Sequence, residues 1–181
     1  PDDGASGDNF GWSLDVEGST IVVGSRNHDS GADDAGSAYV YSKTNGSWEL
    51  EMKLESPVPT QSASFGHDVA VSGEIVMVAA EGDSDNGTWA GAVYVFERVI
   101  DGFILRQKLY PSDPSSNQWF GHSLAMNGNV ALIGADGDAQ NGTWSGAAYV
   151  FRFDGTSWVE EAKLIPDDGQ SGDYFSVGAA I

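Results

Sequence analysis

Asn9-Phe10-Gly11-Trp12-Ser13-Leu14 is the stretch that this chain repeats at a fixed spacing. Phe-Gly returns at Phe65 and Phe120, each 55 residues after the preceding copy, and Phe175 opens a fourth copy. Other residues keep the same step without a gap: Gly36, Gly91, Gly146, Tyr39, Tyr94, Tyr149, Lys53, Lys108 and Lys163. The recurrence predicts a stack of copies of one structural unit.

The first unit contains four strand signals, at residues 12–16, 20–24, 37–41 and 48–54. The first of them alternates apolar and polar residues, and the next two are rich in β-branched and aromatic residues. Asn45-Gly46 is a strong hairpin signal between the third and fourth. Because the later units repeat this order, we predict an all-β fold of β-propeller blades, with four antiparallel strands per 55-residue repeat. A β-solenoid is the competing repeat fold, but its rungs are much shorter.

The predicted boundaries follow the period: three blades and the start of a fourth span residues 1–55, 56–110, 111–165 and 166–181. Blades of a propeller stack face on face, so Tyr39, Tyr94 and Tyr149 are expected to lie between blades. Three blades and a stub leave apolar faces in water, as an uncapped repeat array does. We therefore expect further blades as partners, from the same longer chain or from identical subunits.

Composition and missing motifs exclude several classes of function. Eight Lys and Arg against 27 Asp and Glu give a net charge of −19, which excludes nucleic acid as a partner. No apolar run approaches the length of about 18 residues that spans a bilayer, so no membrane insertion is expected. Cysteine is absent, which excludes disulfides and thiolate metal sites. Without a nucleophile elbow, a His-Glu-x-x-His motif or a phosphate loop, we assign no catalytic residue and do not expect an enzyme.

The repeated motifs resemble the FG-GAP repeat over the whole chain. Phe10-Gly11-x-Ser13 is followed by Val22-Val23-Gly24 and then by Gly36-x-Ala38-Tyr39-Val40-Tyr41. That family includes the propeller of integrin α chains and many bacterial and protist surface proteins. The resemblance implies a β-propeller and a non-catalytic binding or adhesion module, extracellular or at the cell surface. The alternatives are a structural subunit of a surface polymer or fibre, and part of a polysaccharide hydrolase or lyase whose active site lies outside this segment.

The loops before each first strand and between the second and third strands are expected to share one acidic face. Two close copies lie on it, at residues 82–89 and 137–144, where a tryptophan follows carboxylates and amides. We expect a protein or glycan ligand there, with these candidate binding residues: Asp83, Asp85, Asn86, Trp89, Asp138, Asn141 and Trp144. The alternative is that the polar residues form solvated turns and the tryptophans cap the blade edge.

Calcium is the one cofactor that the loops suggest, and we expect it to bind only weakly. Clustered carboxylates supply the oxygens that Ca²⁺ prefers, and the candidates are Glu81, Asp83, Asp85, Asp136 and Asp138. The spacing departs from Asp-x-Asp-x-Asp-Gly, because Gly87 comes one residue late and Gln140 replaces the third acid. The integrin-type calcium loop would fall between the first and second strands, where this chain has only short turns.

Two further patterns concern single side chains. His67 and His122 occupy matching positions, and we expect them to line the mouth of the channel rather than to bind a metal. Asn45, Asn86 and Asn141 satisfy the N-glycosylation pattern, although the Asn-Gly pair in each is also what a turn requires.

Overall fold

The computed structural model describes residues 1–181 and contains no helix. Twelve strands follow one another along the chain: β1 (Phe10–Glu17), β2 (Thr20–Ser25), β3 (Ser37–Thr44), β4 (Ser47–Leu54), β5 (Phe65–Ser72), β6 (Ile75–Ala80), β7 (Ala92–Val99), β8 (Gly102–Leu109), β9 (Phe120–Asn127), β10 (Val130–Ala135), β11 (Ala147–Phe153) and β12 (Trp158–Leu164). They form three antiparallel sheets in chain order, β1–β4, β5–β8 and β9–β12, which we call sheets 1, 2 and 3. The predicted all-β fold of four-stranded blades is confirmed, and no helix is available to span a bilayer.

The turns have the conformations that their residues favour. In sheet 1, Thr44 pairs with Ser47 across Asn45-Gly46, and both turn residues have positive φ, at 52° and 88°. This is the geometry that a two-residue hairpin requires, and Asn and Gly adopt it at the lowest cost. The hairpin predicted from the sequence is therefore present.

The sheets fan out from their first strands. β5 lies close to both β1 and β9, whereas the fourth strands of neighbouring sheets diverge. Each sheet is tied to the next by an isolated parallel bridge, at Gly36–Phe65, Gly91–Phe120 and Gly146–Phe175. A Cβ on Gly36 would lie 2.1 Å from the carbonyl oxygen of Phe65, so only glycine fits at this junction. The third bridge places Phe175, the start of the fourth copy, against sheet 3.

Two apolar cores fill the spaces between the sheets. One contains residues of sheets 1 and 2 with Tyr94, and the other contains residues of sheets 2 and 3 with Tyr149. Both tyrosines lie between blades, as predicted. Tyr39 is equally buried but belongs to neither core. Its ring packs edge-on against Phe10, and its hydroxyl donates to Asp3, so the N-terminal segment covers it.

The outer face of sheet 1 exposes side chains whose counterparts are buried. Phe10 is 42% exposed, whereas Phe65 and Phe120 are 0% exposed against the sheet that precedes each of them. The same contrast holds for Leu14, Val16 and Trp48, whose counterparts in sheets 2 and 3 are buried. Position in the stack, and not residue type, therefore decides whether these apolar residues are covered.

Candidate binding face

The long loops meet at one end of the sheets, as the sequence predicted. The loop after β6 accepts hydrogen bonds from the loop that leads into β9, at Thr88 from the backbone N–H of Asn117 (2.8 Å) and at Trp89 from that of Trp119 (3.1 Å). The same pairing joins Ser64 to Asp34 one unit earlier and Tyr174 to Trp144 one unit later. We call this end of the molecule the loop face.

Four aromatic side chains lie on the loop face: Trp119, Trp144 and Tyr174 are stacked in a row, and Trp89 lines the same cleft as Trp119. The Trp144 ring is stacked between those of Trp119 and Tyr174, with centroid distances of 6.4 and 6.0 Å and interplanar angles of 19° and 22°. Trp89 and Trp144 remain 46% and 43% exposed. We call these four residues the aromatic band, and its exposed rings offer flat apolar surface to a ligand.

Each residue of the aromatic band has a left-handed backbone. Trp89, Trp119, Trp144 and Tyr174 have φ between 49° and 56°. This conformation costs a bulky residue about 1–2 kcal/mol, and such strain concentrates at functional sites. Asp34, the equivalent of Trp89 and Trp144, has φ 52°, and Ser64, the equivalent of Trp119 and Tyr174, has φ 56°, so both turns are general to the repeat while the aromatic side chains are confined to the later units.

A cleft lies beside the band where sheets 2 and 3 approach each other. Its volume is about 270 Å³, and it is lined by Ser62, Ser64, Glu81, Gly82, Trp89 and Trp119. The cleft therefore combines two indole rings with hydroxyls and one carboxylate.

The other predicted binding residues flank the band. Asp85, Asn86 and Asn141 are exposed, and the Asn141 amide donates to the carbonyl of Pro166 at 2.9 Å. Asn45 is exposed at the hairpin on the opposite end of sheet 1. The three N-glycosylation predictions thus fall on accessible asparagines, and they stay predictions.

Asp83 and Asp138 are buried in ion pairs instead of facing a ligand. The Lys108 ammonium lies 2.7 Å from both Asp83 and Asp85, and the Tyr94 hydroxyl donates to Asp83 at 3.0 Å. Burial alone would lower the pKa of Lys108, but its hydrogen bonds with Asp83 and Asp85 outweigh this effect and raise it. The pair holds its charges because each is satisfied by the other.

The equivalent pair in the next unit joins Lys163 to Asp138 at 2.8 Å and to Asp113 at 2.7 Å. The buried Gln118 side chain also donates to Asp138, at 2.9 Å. In the first unit the matching lysine, Lys53, pairs with Asp3 at 2.8 Å. A lysine–aspartate–tyrosine contact is therefore present in every blade, and in the first unit its aspartate, Asp3, is 46% exposed.

These pairs bear on the predicted calcium ligands. Asp83, Asp85 and Asp138 already have an ammonium group in contact, which occupies the place that a cation would take. Glu81 and Asp136 lie apart from them and face histidines. The five carboxylates that the sequence grouped as calcium ligands are thus divided between two environments.

Glu81 connects two blades through two histidines. Its Oε1 lies 2.8 Å from His67 Nδ1 and its Oε2 lies 3.0 Å from His122 Nδ1. Burial raises the pKa of Glu81, but the hydrogen bonds from His122 and His67 outweigh burial and lower it to about 2. The same hydrogen bond with Glu81 raises the pKa of His122. This cluster is the group of side chains on the loop face that could hold a metal ion.

The cluster continues on both sides along the inner strands. His122 Nε2 lies 3.5 Å from Asp136 Oδ2, and Arg26 Nη1 lies 3.5 Å from His67 Nδ1. The Arg26 guanidinium is stacked on Trp12 at 3.5 Å from the ring centroid. Arg26, Glu81 and Asp136 are equivalent residues, each directly after the second strand of its sheet.

A comparison with protein families matches the FG-GAP repeat over residues 1–41, 48–96 and 103–151. The match covers most of the chain. The chain belongs to the FG-GAP repeat family. A comparison with curated proteins found no match.

The FG-GAP repeats suggest a propeller-type binding module, which agrees with the blades and with the loop face. Sequence reasoning found Trp89 and Trp144 but missed Trp119 and Tyr174. Trp119 and Tyr174 are 55 residues apart, so they occupy the same position of the repeat, and the repeated aromatic residue was a signal that could have identified them. It also missed that Glu81 joins two histidines of different blades, because that contact depends on how the FG-GAP units stack.

Proposed function

We propose that this FG-GAP chain is a non-catalytic binding or adhesion module, extracellular or at the cell surface, and that its aromatic band and the adjoining cleft bind a carbohydrate. The observation that carries the proposal is the row of strained and partly exposed rings on one face. The turns are general to the repeat, but in the later units they carry bulky rings that remain exposed instead of entering a core, and exposed aromatic rings grouped on one face favour a binding role.

Carbohydrate suits this surface better than a charged partner. The apolar C–H faces of a pyranose pack on indole rings, and its hydroxyls accept or donate hydrogen bonds at the edges. Exposed carboxylate and amide groups stand beside the rings, at Asp85, Asn86 and Asn141. The net charge of −19 favours a neutral or cationic glycan over an acidic one.

A glycan array probed with the labelled chain tests the proposal. A ligand found there should bind the Trp89→Ala and Trp144→Ala variants at least about tenfold more weakly, a loss of about 1.4 kcal/mol. Trp48→Ala is the matched control, since Trp48 is also exposed but lies at the hairpin end of sheet 1. If no glycan binds, or if Trp89→Ala and Trp144→Ala bind the glycan as tightly as Trp48→Ala and the wild type do, the aromatic band does not bind carbohydrate.

Turnover separates binding from catalysis. We expect a bound oligosaccharide to be recovered unchanged after prolonged incubation, as chromatography of the mixture would show. Release of shorter or unsaturated products would instead support the hydrolase or lyase alternative.

The exposed face of sheet 1 supports a second part of the proposal, that further blades are the protein partners of this chain. Leu14 and Val16 on this face match residues that are buried between sheets elsewhere. A face of this shape and pattern fits another blade of the same repeat, from the same longer chain or from an identical subunit. If identical subunits supply those blades, the chain would assemble into the structural polymer that is the alternative function.

A further inference from the structure

We propose that His67, Glu81 and His122 form a binding site for a divalent transition-metal ion such as Zn²⁺, at the junction of sheets 2 and 3 on the loop face. One potential ligand atom from each residue lies within 4.8 Å of the other two. The proposal goes beyond carbohydrate binding and does not depend on it.

The three side chains converge with the geometry of a partial coordination shell. Both imidazoles direct Nδ1 at the same carboxylate, at 2.8 and 3.0 Å, and their ring centroids are 5.1 Å apart. Ligand atoms around a tetrahedral zinc with bonds of about 2.0 Å are about 3.3 Å apart. The two histidine–carboxylate distances are therefore within a few tenths of an ångström of this spacing, and each coordinating ring nitrogen must give up its proton for an ion to enter.

The rigid strands hold two of the ligands in place. His67 is the third residue of β5, His122 is the third residue of β9, and Glu81 directly follows β6. The His67 side chain is only 7% exposed, so its ring has little freedom to turn away. Sites on strands are held more precisely than sites on loops.

Asp136 provides the outer support that histidine ligands of metals require. Its Oδ2 lies 3.5 Å from His122 Nε2, the ring nitrogen that faces away from Glu81. A carboxylate in this position accepts the Nε2 proton and leaves Nδ1 free for the ion. The Asp136 side chain is 8% exposed, and its Oδ1 has no hydrogen-bond partner. A buried carboxylate oxygen without a partner is costly unless a cation is near.

Arg26 is the one cation that opposes metal binding at this site. Its Nη1 lies 3.5 Å from His67 Nδ1 and 3.8 Å from Glu81 Oε1. The guanidinium repels an incoming ion and competes for the same carboxylate. Affinity should therefore rise when this charge is removed, and this response would not be expected if the cluster were only a hydrogen-bond network.

The donor set selects the kind of ion. Two imidazole nitrogens and one carboxylate suit Zn²⁺, Ni²⁺ or Cu²⁺, whereas Ca²⁺ takes six to eight oxygens. Three protein ligands leave at least one coordination position open. Glu81 also lines the cleft beside Trp89 and Trp119, so the proposed metal site adjoins the proposed carbohydrate site.

Titration calorimetry of the chelator-treated chain with ZnCl₂, and separately with CaCl₂, tests the site. We expect one zinc ion per chain and no comparable heat from calcium. His67→Ala and Glu81→Gln should each weaken zinc binding by at least about tenfold, and Arg26→Gln should strengthen it.

His28→Asp is the matched control, because it removes the third histidine of the chain and introduces the residue found at the equivalent positions, Asp83 and Asp138. It should leave zinc affinity unchanged.

Circular dichroism checks that each variant is folded. If His67→Ala does not fold, visible absorption of the Co²⁺-loaded wild type tests for a four-coordinate site instead, since tetrahedral Co²⁺ absorbs far more strongly than six-coordinate aqueous Co²⁺, and weak aqueous-like bands would count against the proposal. The proposal is overturned if neither the wild type nor Arg26→Gln binds zinc, or if zinc binding survives loss of His67 and depends on His28.

Discussion

Lys163 Nζ lies 2.8 Å from Asp138 Oδ2, and the aspartate side chain is almost completely buried. Burial raises the pKa of Asp138, but the hydrogen bonds from Lys163, the Gln140 N–H and Gln118 outweigh it and hold the pKa below its ordinary 3.8. Burial lowers the pKa of Lys163, but Asp113 and Asp138 raise it above 10.5. Both groups are therefore charged throughout the neutral range.

This pair predicts how stability depends on pH. A depressed aspartate pKa stabilises the fold above pH 3.8 and loses its effect as pH falls below that value. A raised lysine pKa stabilises the fold below pH 10.5 and loses its effect as pH rises above it. Asp138→Asn should lower the free energy of unfolding by about 2 kcal/mol at pH 7. It should also make this free energy fall less steeply as the pH is lowered, as urea unfolding at several pH values would show.

Asp113→Asn is the control. Because Asp113 is half-exposed, its loss should lower the free energy of unfolding by less than about 1 kcal/mol. Equal losses in the two variants would contradict this account.

Calcium removal should leave the fold unchanged. Because Lys108 occupies the carboxylates of Asp83 and Asp85, we expect a chelator to have no effect on Tm and calorimetry to detect only weak calcium binding that added NaCl abolishes. Lys108→Met should lower Tm and make calcium stabilising, since two carboxylates then lack their cation. A tight, salt-insensitive calcium site in the wild type would show that the lysines do not block these loops.

The glycine junctions between sheets predict a contrast between two substitutions. A Cβ on Gly91 would lie 2.1 Å from the Phe120 carbonyl oxygen, and φ is 86°. Gly91→Ala should therefore destabilise the protein by about 3–5 kcal/mol, by strain and by separating sheets 2 and 3. Gly73 has φ 58° and nothing within 4 Å, so Gly73→Ala should cost only about 1–2 kcal/mol. Chemical denaturation measures both values, and a similar cost at the two positions would argue against the junction.

The apolar face of sheet 1 predicts association. We expect the chain to associate in a concentration-dependent manner in sedimentation velocity, and Val16→Lys to abolish this with little change in Tm, because Val16 is exposed. The equivalent substitution in sheet 2, Val71→Lys, should instead unfold the chain or strongly lower its Tm, because it buries an unpaired charge between sheets. A wild type that stays monomeric at every concentration would contradict the assigned face.

Carbohydrate binding should quench or shift tryptophan fluorescence. Trp144 is stacked on two neighbours, so a ligand that packs on the band changes its surroundings. We expect the fluorescence change to be retained in part in Trp144→Phe, since a phenyl ring retains some stacking, and to be much smaller in Trp144→Ala at the same ligand concentration. Full retention in Trp144→Ala would place the ligand elsewhere.

Much of the fold followed from local rules. The ungapped period, the alternation in β1 and the Asn45-Gly46 turn predicted the blades, because strands and two-residue turns depend on residues close in sequence. The site was predicted less completely. Trp89 and Trp144 were found as exposed aromatic residues, but the stacking of Trp144 was not foreseen, because its partners are Trp119, in the loop that leads into the same sheet, and Tyr174, in the following unit.

The sequence by itself determined the repeat, the four strands of each blade and the concentration of acids on one face. Only the tertiary structure decided what each repeated residue does. Phe10 and Phe65 begin the same Phe-Gly motif, yet one is exposed and the other is fully buried, because burial requires a preceding sheet with its junction glycine. Glu81 links two histidines because the next sheet brings His122 to it, whereas Asp138 meets Lys163 because the fourth strand of its own sheet returns beside its loop. These contacts join residues 41 and 25 positions apart, and no local pattern encodes the stacking and folding of the sheets that bring them together.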